Sequence, residues 1–140
     1  MRHELPRGSV IRYPYLWRRQ RTQGETEGRK ERPVCLAITG ELRGSTVLIL
    51  LPISGTAPLA DQVTLEIPQL ERRRAGLDET KPAWITMSEY NFDIAEASFY
   101  FDPSSKPMGQ FSDAFLKQIY RLLRKYLVDP KARVDRTQTD

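Results

Sequence analysis

Gly28-Arg29-Lys30-Glu31-Arg32-Pro33-Val34-Cys35-Leu36-Ala37-Ile38 is the stretch on which the fold turns. A charged loop ends in an Arg-Pro pair, and a run of mostly strand-favouring side chains follows at once. Proline lacks an N–H and has a fixed φ, so Pro33 suits the first residue of a strand and biases Arg32 towards an extended backbone. A strand therefore begins here, with a guanidinium at its mouth and Arg29 and Lys30 just before it. Arg32 carries a permanent charge and a fork of donors matched to phosphate oxygens. A solvated loop that simply ends in a charged residue is the plainer explanation of the same pattern.

Downstream, Pro33 to Thr39 forms that strand, and Gly40-Glu41-Leu42-Arg43-Gly44 turns it into a second, Ser45 to Ile53. Val47-Leu48-Ile49-Leu50-Leu51 is apolar on both faces, which predicts a central, fully buried strand. Pro52 closes it, and Ser54-Gly55-Thr56-Ala57-Pro58 is a loop of small residues. Gln62 to Ile67 alternates as a half-buried strand does. Pro68 at a helix N1 position and Gly76 as a C′ residue bracket a short helix rich in Arg72, Arg73 and Arg74. Ala83 to Met87 and Ile94 to Phe101 read as two further strands, separated by Ser88-Glu89-Tyr90-Asn91. Strand following strand through short turns makes this a mostly β (α+β) chain, a small bent barrel or a sandwich.

A C-terminal helix closes the domain. Ser112 is its N-cap, with Phe111 placed to staple against Leu116. Phe115, Leu116, Ile119, Leu122, Leu123 and Tyr126 form an apolar stripe, while Lys117, Arg121, Arg124 and Lys125 face water. Pro130 stops the helix. The domain is expected over residues 8–128, with residues 1–7 and 129–140 as flexible termini.

Upstream, Val10 to Tyr13 is a short strand ended by Pro14, followed by the apolar cluster Tyr15, Leu16 and Trp17. Tyr13 and Trp17 are candidates for a base-stacking surface, against a plain packing role. From Arg18 to Arg32 runs a long polar loop. Its six basic residues (Arg18, Arg19, Arg21, Arg29, Lys30 and Arg32) and three acidic ones (Glu25, Glu27 and Glu31) leave it at +3, most of the chain's net charge of +4. Loops of this length are usually functional or mobile.

Composition narrows the chemistry. With 39% hydrophobic and 29% charged residues in 140, a soluble single domain is expected. No apolar run is long enough to span a membrane. Arg2, Arg7 and Arg12 interrupt any signal-peptide core, and the single Cys35, in a core strand, points to the cytoplasm. His3 is the only histidine, which disfavours Ser-His-Asp and Cys-His catalysis, His-ligated zinc and His-based ribonuclease chemistry together. No glycine-rich phosphate loop is present, and no metal or cofactor is expected.

In order along the chain, Gly8-Ser9-Val10-Ile11, Lys30-Glu31-Arg32-Pro33-Val34-Cys35-Leu36, Leu51-Pro52-Ile53-Ser54 and Gly109-Gln110-Phe111-Ser112 resemble the sequence motifs of the MazF/PemK family of toxins from bacterial toxin–antitoxin systems. The correspondence runs from about Gly8 to Leu127. It implies an SH3-like barrel, a homodimer, metal-independent cleavage of single-stranded RNA, and inhibition by an acidic antitoxin protein. It also implies Arg32 and Ser54 as the catalytic pair. The charge of the loop itself makes Arg18, Arg19, Arg21, Arg29 and Lys30 the expected substrate contacts, with Tyr13 as the candidate stacking residue. Ser54 stands where the family usually has Thr, and Gly55 where a Ser often follows. The alternatives are a barrel of the same kind that binds nucleic acid or protein without cutting and, less favoured, a gyrase poison.

Overall fold

The computed structural model describes residues 5–24 and 30–137. The elements run β1 (Ser9–Tyr13), α1 (Arg18–Thr22), β2 (Arg32–Leu42), β3 (Ser45–Ser54), β4 (Thr64–Glu66), α2 (Gln69–Arg74), β5 (Trp84–Thr86), β6 (Tyr90–Ile94), β7 (Gly109–Gln110), α3 (Asp113–Leu127) and β8 (Arg133–Asp135). The strands form one sheet in the order β4-β5-β3-β2-β1-β7, with β6 joining β3 and β8 joining β6. Every ladder is antiparallel except β6 with β8. The chain is mostly β with three helices, an α+β architecture. Among the described residues no helix is long and apolar enough to cross a membrane.

β3 is central, as its doubly apolar sequence predicts. β2 lies along one edge, while the other is shared by β6, opposite Val47 to Leu50, and β5, opposite Ile53 and Ser54. Alternation along a strand sends successive side chains to opposite faces. Ile49, Leu51 and Ile53 accordingly enter a core shared with Ile67, Phe115, Ile119 and Leu123, and Leu48 and Leu50 enter another with Tyr13, Tyr15, Trp17 and Phe101.

The β2–β3 turn is tighter than the expected Gly40–Gly44 loop. Leu42 pairs with Ser45, leaving a two-residue hairpin in which Arg43 (φ 53°) and Gly44 (φ 85°) take the left-handed geometry such turns require. A bulge at Ala37 shifts the register between Leu36 and Ile38. The Tyr120 hydroxyl donates to the Ala37 carbonyl at 2.5 Å, so α3 satisfies the group the bulge leaves free.

The second helix is capped differently from expectation. Pro68 is the N-cap of α2 rather than its first helical residue. At the other end Gly76 (φ +77°) is C′ as expected. Leu77 N–H bonds the Arg72 carbonyl at 2.9 Å and Gly76 N–H the Arg73 carbonyl at 3.1 Å. Ser112 caps α3 as predicted, its Oγ accepting from Phe115 N–H at 3.1 Å. Phe111 sets its ring edge-on to Phe115, centroids 5.0 Å apart.

Glu71 locks the two helices together. Its carboxylate accepts from Ser112 N–H at 2.9 Å, Ser112 O–H at 2.6 Å and the Arg74 guanidinium at 2.8 Å. Burial alone would raise this carboxyl, but the Ser112 and Arg74 donors outweigh it and hold it below the usual carboxylate range. A depressed folded value means the stabilisation is complete above the unfolded pKa and is lost as pH falls through the folded one. Glu71→Gln is therefore expected to cost about 2 kcal/mol near neutral pH. Urea denaturation of both proteins should show that gap closing in acid; a gap independent of pH would refute the assignment.

Three further expectations fail. The segment from Arg18 is not all loop, since Arg18–Thr22 is helical; its residues 25–29 lie outside the described ones. The strand expected at Ile94–Phe101 lies earlier, at Tyr90–Ile94. Asp93 is the reason: its Oδ2 accepts from Ser98 O–H at 2.6 Å, and Ser98 Oγ takes the N–H groups of Tyr100 and Phe101 at 2.9 and 2.8 Å, folding that stretch into a turn. The expected flexible tail from 129 contains β8, and Ala132, Val134 and Arg136 are buried.

Candidate functional site

The rigid Arg32-Pro33 junction places Arg32 at the first residue of β2, directly across from Tyr13 on β1. On the other side the β2–β3 ladder ends at Val34 with Pro52, two residues short of Arg32 and of Ser54, the last residue of β3. Ser54 in turn pairs with Trp84 on β5. The sequence separates Arg32 and Ser54 by a whole hairpin, and the β2–β3 pairing brings them to the same end of the sheet.

Both line one cleft of about 240 Å³, with Trp17, Arg19 and Lys30 on one side and Gln62, Thr64, Trp84 and Thr86 on the other. Arg19 and Arg32 both lie against the Trp17 ring, their guanidinium carbons 5.0 and 5.4 Å from its centroid. The aromatic face attracts each cation. The two cations repel one another, and among the described residues no Asp or Glu lines the cleft.

Arg32 is half-buried, and among the described residues neither its Nε nor the buried Trp17 indole N–H has a partner. Burial lowers the proton affinity of Arg32, and the Arg19 charge lowers it further, with Tyr15 opposing. Arginine stays protonated under these pressures, so the site holds a positive charge short of counter-charge. A bound anion relieves the repulsion and supplies acceptors for the idle donors.

Ser54 is set by a turn of its own. Its Oγ accepts from Thr56 N–H at 3.0 Å, while the Thr56 carbonyl, at 3.5 Å, is too far to hold the hydroxyl proton firmly. That proton is available to a ligand in the cleft.

The other expected contacts divide. Arg19 and Lys30 line the cleft. Arg18 and Arg21 are directed to β8 and the turn before it instead: Arg18 Nη1 donates to the Lys131 carbonyl at 3.1 Å and Arg21 Nη1 to the Asp135 carbonyl at 2.7 Å. Arg29 lies outside the described residues. Tyr13 must be withdrawn as a stacking surface, because it is fully buried and its hydroxyl donates to Asp93 Oδ2 at 2.7 Å. The basic run on α2 is occupied too: Arg72 donates to the Ile67 and Glu79 carbonyls, Arg73 pairs with Glu79, and Arg74 with Glu71.

Sequence reading missed the opposite wall, Gln62, Thr64, Trp84 and Thr86. Thr64 pairs with Thr86 across β4 and β5, and only that pairing brings these residues to the cleft. No family model, curated protein or solved structure matches the chain.

Proposed function

We propose that the chain is an endoribonuclease that binds single-stranded RNA in this cleft and cuts it through the neighbouring 2′-hydroxyl. The observation that carries the reading is the pair of guanidinium groups stacked on Trp17 in a cleft that no Asp or Glu lines among the described residues, with the Ser54 hydroxyl in the same cleft. In such a reaction the 2′-oxygen attacks phosphorus, a P–O bond to the 2′-oxygen forms, and the P–O5′ bond breaks. A 2′,3′-cyclic phosphate and a 5′-hydroxyl end result. Negative charge builds on the phosphoryl oxygens in the transition state, and donors placed beforehand stabilise it. Arg32 is the residue best placed for that role, with Ser54 giving a hydrogen bond and Arg19 and Lys30 holding the strand.

The resemblance to the MazF/PemK toxins supports the same reading. With it come the finer proposals: the sheet closes as an SH3-like barrel, the protein acts as a homodimer in the cytoplasm, and an acidic antitoxin restrains it. A mixed RNA pool incubated with purified protein, with and without EDTA, tests the activity. Cleavage in both, with 5′-hydroxyl ends, is expected; intact RNA in both would sink it.

One observation favours a second reading. Among the described residues no side chain that exchanges a proton near neutral pH lines the cleft. A protein that holds RNA there without cutting needs no such group. Intact RNA in the pool, retained by the protein in a gel shift, would select this reading.

Ser54→Ala is expected to slow cutting by about tenfold, the worth of one hydrogen bond, whereas Ser54→Thr keeps it. Initial rates on one labelled oligonucleotide check both. Equal rates for all three proteins would make Ser54 a turn residue only.

A further inference from the structure

Arg18, Arg19 and Arg21 are adjacent in sequence but face two directions. On a helix, positions 18 and 21 share a side and position 19 points elsewhere. Arg19 goes to the cleft, while Arg18 grips the backbone carbonyl of Lys131, two residues before β8, and Arg21 that of Asp135, the last residue of β8. A third arginine ties the same strand down from its own side. Arg136 is 3% exposed, donates to the Pro14 carbonyl at 2.6 Å and to Asn91 Oδ1 at 3.2 Å, and stacks on Tyr100 at 3.9 Å.

Asn91 completes the connection. It is fully buried and pairs with the backbone of Leu16 on both sides, its Oδ1 accepting from Leu16 N–H at 2.9 Å and its Nδ2 donating to the Leu16 carbonyl at 2.8 Å. The next residue is Trp17, whose backbone N–H is held by Gln20 Oε1 at 3.0 Å. The C-terminal strand is thus fastened to both sides of the segment that carries Trp17 and Arg19.

We infer that Arg18, Arg21 and Arg136 are positioning residues for the cleft: by clamping β8 to α1 and to Pro14 they fix where Trp17 and Arg19 stand. The positioning is a property of the free protein, and only its consequence for RNA affinity rests on the reading above. Polar bonds at the surface set the local opening energy of such a segment, so losing them frees it without unfolding the sheet.

The test uses the full chain with Trp84→Phe, which leaves Trp17 as the one tryptophan, and needs no RNA. Arg18→Gln with Arg21→Gln is expected to raise acrylamide quenching of Trp17 by roughly twofold or more, with far-UV circular dichroism unchanged. Each single variant, which removes one exposed hydrogen bond, should move it part of the way. Arg136→Lys, which keeps a donor for Pro14, should lie close to the parent. Quenching equal to the parent in the double variant overturns the inference.

A salt titration with a 2′-deoxy-substituted oligonucleotide separates the two readings. Arg19→Ala should reduce the salt slope by about one phosphate contact, and so should the double variant, through displaced Arg19. A double variant that loses two contacts with Trp17 still in place would return Arg18 and Arg21 to the substrate and overturn the positioning role. Oligonucleotide that fails to bind the parent, with Trp17 freed in the double variant, would defeat the RNA reading and leave the positioning standing.

Discussion

Arg32→Ala is expected to lower the RNA cleavage rate by about 10²–10³, the usual loss when one preorganised donor to a developing oxyanion is removed. Arg32 stands at a loop–strand junction, half-buried, with an unpartnered Nε and its guanidinium against Trp17. Removing the charge relieves repulsion from Arg19 and deletes no ion pair of the described structure, so thermal stability should hold or rise slightly. Activity and stability then move independently, which marks a residue kept for its ligand. Arg32→Lys restores the charge without the planar fork and should recover only part of the rate. Cutting at the wild-type rate by Arg32→Ala would end the catalytic assignment; failure to fold would make Arg32 structural.

Gly109→Ala is expected to cause the largest loss of stability, about 3 kcal/mol, because the close approach there is backbone against backbone. A Cβ at Gly109 would stand 2.2 Å from the Arg74 carbonyl oxygen and 2.6 Å from the Ala75 carbonyl carbon. From the other side, a Cβ at Gly76 would meet the Met108 carbonyl oxygen at 2.3 Å. The end of α2 therefore presses directly on the entry to β7, and neither wall is a flexible side chain that can swing away. Gly40→Ala is the control, since nothing lies within 4 Å of its Cβ position. Urea midpoints should fall for Gly109→Ala and stay nearly level for Gly40→Ala. Equal midpoints would mean that the α2–β7 contact is looser than described.

The parts of this fold that were legible in the sequence are those whose causes are local. The Arg32-Pro33 junction starts β2, the doubly apolar run makes β3 central, Ser112 caps α3 and the stripe from Phe115 to Leu123 buries it. What escaped has distant causes. β6 carries Asn91 and Asp93 into the interior, and their partners are Leu16, Tyr13 and Ser98, so no alternation of apolar residues announces it. β8 is anchored by Arg136, a residue that composition assigns to water. α1 has no apolar stripe and is held from outside by β8.

The candidate site shows the same division. The Arg-Pro junction and Ser54 could be picked out on motif and position. That Arg19 faces the cleft while Arg18 and Arg21 do not depends on a helix whose sequence gives almost no helical signal. Tyr13 illustrates the opposite case: as an aromatic near basic residues it is open in sequence to stacking or to packing, and in the fold it is core.

The central claim is that RNA phosphate binds between Arg19 and Arg32 on Trp17. The most direct measurement is the Trp17 indole N–H resonance, assigned by its persistence in Trp84→Phe, during titration with a 2′-deoxy-substituted single-stranded oligonucleotide. That N–H is buried and has no partner among the described residues, so a phosphate settling beside it should shift the signal saturably. The shift should vanish in Arg32→Ala and shrink as salt is raised. An indole signal that stays fixed while the oligonucleotide binds would place RNA elsewhere on the protein and contradict the account.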